Sequence, residues 1–127
     1  MNRPSRDSSA GPASPLYQRF ADQAARAPDA LALQAGSRAI SHRGFIDLVD
    51  ATAQQWADEG LGAGDAIGWL GHNSPEMLAG LLACAQLGAV WVPLNWRLAA
   101  PELAAIAAHA GLATLNTRPN WPAWPGR

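Results

Sequence analysis

Apolar residues recur at spacings that change along the chain, and each change marks a new element. Ser14-Pro15 pairs a capping residue with proline at the first helical position; Leu16, Phe20 and Ala24 then follow at helical intervals until Pro28 closes the segment. Ala30–Ala35 and Arg38–Ser41, on either side of Gly36-Ser37, read as a small hairpin. From His42 to Glu59 the period is helical again. Phe45, Leu48, Val49, Thr52 and Trp56 share one face, with Asp47, Asp50, Gln54 and Asp58 mainly on the other, as in a helix that covers a sheet. The run Gly60-Leu61-Gly62-Ala63-Gly64-Asp65 stops it, and Ala66–Leu70 is a short apolar strand. Ser74 supplies a cap, Pro75 a first-turn proline and Glu76 an acid near the positive end of the helix dipole. Met77, Leu78, Leu81, Leu82, Ala85 and Leu87 carry that helix to Gly88. Val90–Pro93 is a strand, Pro101–Ala110 a helix stopped by Gly111, and Leu112–Leu115 the start of another strand.

Strands that alternate with helices predict an α/β fold: a partial, mostly parallel sheet with crossover helices. Residues 16–115 are expected to form this unit. Residues 1–15, rich in Ser, Pro and Arg, read as a disordered arm. A cleaved organelle-targeting peptide is the alternative, opposed by Asp7 and by the lack of an amphipathic period. Residues 116–127 have no period, three prolines and the tryptophans Trp121 and Trp124. They read as disorder or as text from a shifted reading frame, with a polyproline ligand as the rival reading.

Composition narrows the function classes. In 127 residues, 49% are apolar and 15% charged, with a formal net charge of -1, so a nucleic-acid partner held by a basic field is not expected. All nine basic residues are arginine. A chain without lysine houses no Schiff-base chemistry and no lysine-dependent phosphate loop. Cys84 is the single cysteine, no apolar run approaches the ~18 residues of a membrane span, and no secretory leader is evident. A cytoplasmic protein without a transmembrane segment is the expectation.

No set of residues makes a complete active site. Gly60, Gly62 and Gly64 follow a helix and precede a strand, the reverse of a dinucleotide loop, so they read as a helix-ending turn. His42, His72 and His109 are far apart and lack metal-ligand spacing, so no metal is expected. His72 stands at a strand-to-helix turn, where a loop role and a functional one are both open. Cys84 reads as a buried small side chain, Asp47 and Asp50 as a solvated helix face, and Ser74 as a cap and not a nucleophile.

The stretch NSPEMLAGLLACAQLGAVWVPLNWRLAAPELAAIAAHA, residues 73–110, closely resembles the early part of acyl-CoA synthetases and their AMP-forming ligase relatives. Their pattern runs N-S-P-E, an apolar helix, L-G-A-V, V-P-L-N-x-R-L and P-E-L-A. Upstream, GLGAGDAIGWLGHNSPE and ARAPDALAL resemble further segments of the same family, so the likeness covers about residues 16–115. Ser41-His42-Arg43-Gly44-Phe45 departs from the family's T-Y-x-E-L.

The resemblance implies the first part of the large N-terminal domain of an adenylate-forming enzyme. The family activates a carboxylic acid with ATP and Mg2+, and its ligases then transfer the acyl group to CoA. Fatty-acid metabolism is the implied setting. The family's phosphate loop and catalytic lysine have no counterpart in these residues. The expectation is therefore an N-terminal fragment that is inactive alone and holds no cofactor itself, ATP, Mg2+ and CoA belonging to the full-length family. A subunit of a split ligase associating with a larger ligase chain is one alternative. A small binding module docking through Trp91, Trp96 or the tail tryptophans is the other. The resemblance carries one site residue, Arg97, as a contact to a CoA phosphate, against a purely local role in orienting the turn.

Overall fold

Proline opens three of the four helices among the described residues, and a serine cap opens the fourth. In the computed structural model, which describes residues 14–116, these are α1 (Pro15–Arg26), α2 (His42–Asp58), α3 (Pro75–Leu87) and α4 (Ala100–Ala110). At α2 the Ser41 hydroxyl accepts the Gly44 N–H at 3.0 Å. At α3 the Ser74 hydroxyl accepts the Met77 N–H at 3.3 Å, and Gly88 ends the helix in the left-handed conformation (φ 75°). The Glu102 carboxylate reaches back to the Ala99 N–H at 3.2 Å before α4.

The strands are β1 (Leu31–Ala35), β2 (Arg38–Ser41), β3 (Ala66–Leu70), β4 (Val90–Leu94) and β5 (Leu112–Asn116). β1 and β2 form an antiparallel hairpin, and the other three form a wholly parallel sheet in the order β4-β3-β5. The α3 crossover leads from β3 to one side, and the α4 crossover returns past β3 to the other. Right-handed crossovers in opposite directions put the two helices on opposite faces. β5 extends through Asn116, one residue into the stretch expected to be irregular, because Asn116 pairs with Trp69. Of the arm expected over residues 1–15, the last two are ordered, since Ser14 precedes and Pro15 opens α1; residues 1–13 and the Trp/Pro-rich tail from residue 117 lie outside the described residues.

The core lies between the sheet and α1–α3. Phe45, Leu48, Val49, Ala53 and Trp56 of α2 meet Ile67 and Trp69 of β3 and Ala79, Leu82, Ala83 and Cys84 of α3. Three indoles meet at its edge, the partly buried Trp91 lying 6.0 Å from Trp56 and 6.3 Å from Trp69 between ring centroids, each pair tilted. Gly80 of α3 is what lets Trp91 in, since a Cβ there would collide with its ring. Trp91 is thus packed against the core rather than offered for docking, which corrects its expected role in a binding module.

Glu76 stands in the first turn of α3 as expected, and it has a second role: at 1% exposure it sits beside Arg38 of β2, whose Nη2 donates to Oε2 at 2.7 Å. This ion pair ties the hairpin to the start of α3.

A candidate site at the carboxyl ends of β3 and β4

Register brings the candidate residues together. Leu70 and Leu94 are parallel partners at the ends of β3 and β4, so Gly71-His72 and Asn95-Trp96-Arg97 leave the sheet side by side. The carboxyl edge of a parallel sheet is where open α/β folds place their ligand sites. The His72 and Trp96 rings lie 4.1 Å apart between centroids, tilted by 41°. The Arg97 guanidinium carbon is 4.9 Å from the Trp96 ring centroid, within cation–π range.

The turn is fixed locally. The Asn95 side-chain oxygen accepts the Arg97 N–H at 3.0 Å, and the Leu98 N–H donates to the Asn95 carbonyl at 3.1 Å. Trp96 and Arg97 are exposed, and among the described residues no carboxylate pairs with Arg97. β5 ends at the same edge with Asn116, which is buried and whose Nδ2 has no hydrogen-bond partner among the described residues.

Other candidates fall elsewhere. Ser74 is committed to its cap. Cys84 is buried, and loss of solvation pushes its thiol up to about 12, so it is no thiolate nucleophile. Asp47 is exposed, whereas Asp50 accepts the Tyr17 hydroxyl at 2.7 Å across the α1–α2 contact; the two do not form a catalytic pair. Burial first, and then Asp50, raises the Tyr17 phenol to about 12. Gly60 and Gly64 have φ of 86° and 83° in the turn between α2 and β3. That turn is closed by Asp65, which accepts the Gly62 N–H at 2.8 Å. His109 stands in the last turn of α4. No cluster able to hold a metal occurs among the described residues, and no helix there is long and apolar enough to cross a membrane.

A separate groove of about 400 Å³ runs between β1 and the start of α3, lined by Leu33, Gln34, Ser74, Met77 and Leu78. It does not reach Arg97.

The His72–Trp96 contact was not legible in the sequence, where the two residues stand in different loops. The parallel register of β3 and β4 was the signal that could have found it.

The family described as "AMP-binding enzyme" matches residues 20–123 of this chain. Indoleacetate–CoA ligase of Aromatoleum aromaticum is 38% identical over 96 residues, covering 76% of this chain and 19% of that protein. Feruloyl-CoA synthase of an Amycolatopsis species is 37% identical over 97 residues, covering 76% and 20%. The chain therefore spans about a fifth of the length of these curated relatives. A Mycobacterium tuberculosis fatty acyl CoA synthetase superposes with a TM-score of 0.75 at 28% identity, over 80% of this chain and 21% of that one. The Klebsiella oxytoca NpsA N-terminal subdomain, solved in complex with 3-hydroxyanthranilyl-AMSN, gives 0.72 at 27%, over 80% and 26%. Sequence and fold agree: the chain belongs to the AMP-binding enzyme family, and its α/β unit is the first part of the N-terminal domain of an adenylate-forming enzyme.

Proposed function

We propose that this chain supplies the opening part of an ATP-dependent, AMP-forming acid–CoA ligase, and that Arg97 meets a CoA phosphate during thioester formation. The observation that carries the reading is the free guanidinium of Arg97 at the carboxyl edge of the sheet, within the V-P-L-N-x-R-L motif. An arginine fork matches the oxygen geometry of a phosphate, and no carboxylate among the described residues occupies it. The relatives named as CoA ligases and synthetases support CoA as the acyl acceptor.

On this reading the 127 residues catalyse nothing by themselves. Adenylation needs cations and backbone donors around a polyphosphate, with lysine at the developing charge, and the chain has no lysine. The test is acid-dependent exchange of pyrophosphate into ATP by the polypeptide alone, over a panel of carboxylic acids. No exchange is expected; exchange above the no-acid control overturns the reading.

Association with a larger ligase chain is a second reading, favoured by α4. This helix has no buried residue although its sequence is almost wholly apolar, and Ile106 and nearby Leu115 are 40% and 41% exposed. A helix apolar on all sides is normally covered.

A further inference from the structure

Two arginines in this fold are held in opposite ways. Arg38 spends its N–H donors on the Glu76 carboxylate, at 2.7 and 3.4 Å. Arg97 is held against the Trp96 ring, and a cation–π contact consumes none of the guanidinium's N–H donors. Trp96 itself is braced by His72, which arrives from the neighbouring strand.

We infer that Trp96, supported by His72, is the positioning residue that holds Arg97 at the carboxyl edge with its donor fork free for a phosphate. The inference rests on the CoA reading of Arg97 and adds how that arginine is kept in place. An unstacked arginine would have to lose side-chain freedom on binding, and the ring removes part of that cost beforehand. Neither His72 nor Trp96 touches the reacting atoms in this account; both act through Arg97.

The experiment uses the full 127-residue chain, isotope-labelled and carrying Ile106→Glu on the exposed face of α4 to limit self-association, with adenosine 3′,5′-bisphosphate as the probe. NMR first reports the Arg97 side chain without probe. Its Hδ protons should be shifted by the indole ring current, and the shift should vanish in Trp96→Ala and survive in Trp96→Phe. Titration of the probe should then move the Arg97 Nε–H saturably. Trp96→Ala and His72→Ala should each weaken binding about two- to fivefold, the range of an exposed cation–π contact. Trp96→Phe should restore it, and Arg97→Ala should abolish it. Trp96 is 44% exposed, so its loss leaves the core intact, and His72→Ala tests the same link without altering the indole. If Arg97→Ala loses the probe while Trp96→Ala and His72→Ala bind as the wild type does, positioning is overturned and the CoA reading stands. If Arg97→Ala binds as the wild type does, the CoA reading falls and this inference with it; a wild type without a saturable shift overturns only the inference that the fork is held ready in this chain.

Discussion

Glu76 joins an expected helix start to an interaction between distant residues. Its place after Ser74-Pro75 was readable as helix-opening chemistry, but its burial was not, because the partner Arg38 lies 38 residues upstream on a hairpin. A carboxylate at 1% exposure is costly to strip of its hydrogen-bond donors. Arg38→Met removes a hydrogen bond to this charged group and should destabilise the fold by about 1.5–3 kcal/mol in urea unfolding, and Glu76→Gln by clearly less. Equal small effects would mean that Glu76 is solvated.

Two other single groups set the alkaline limit. Cys84 and Tyr17 hold their protons up to about 12 in the fold, against 9.0 and 10.0 ordinarily. Raised values mean that the folded state binds these protons more tightly. The stability they contribute is full below about pH 9 and is lost as the pH climbs toward 12. Melting temperature should stay level to pH 9 and then fall, and Cys84→Ala should delay the onset. A profile unchanged by that substitution would show that Cys84 is not responsible.

At the scale of elements, the boundaries were largely legible because local chemistry sets them: prolines at helix starts, Ser41 and Ser74 as caps, glycines at helix ends. Pairing was not legible. Periodicity says that β3, β4 and β5 are strands, but it does not say that β3 lies between the other two; that order follows from crossovers in opposite directions. The close packing of α3 on β4 was equally hidden, since Gly80 in a helix looks like a mere loss of propensity. Alanine favours a helix over glycine by about 1 kcal/mol. A Cβ at position 80, however, meets the Trp91 ring, itself wedged between Trp56 and Trp69. Gly80→Ala should therefore destabilise, by about 1–3 kcal/mol in thermal or urea melts. Gly68→Ala meets only the side-chain ends of Leu112 and Leu115, which can shift, and should cost less. A stabilised Gly80→Ala would show that helix propensity outweighs this contact.

At the scale of the whole molecule, the described residues cover the two sides of the sheet unequally: α1–α3 bury one, while α4 buries none of its own residues on the other. Val90, Ile106 and Leu115 are exposed, and β4 and β5 each leave one edge without a strand among the described residues. Such surfaces promote association. The isolated chain should self-associate in sedimentation velocity at micromolar concentration, and Ile106→Glu should reduce this; a monomer with a sharp cooperative melt would contradict the expectation. Family and fold class were readable because motifs and alternation run through nearly all of residues 16–115. The site was only half readable: Arg97 stands in a motif, but what holds it comes from another strand.

The most direct test of Arg97 separates the two half-reactions in a ligase polypeptide that opens with residues 14–116 of this chain. Arg97→Ala should leave acid-dependent pyrophosphate exchange unchanged and slow CoA thioester formation about tenfold or more, the worth of a hydrogen bond to a charged group. An equal fall in both half-reactions would contradict the account and leave Arg97 a structural residue of its turn.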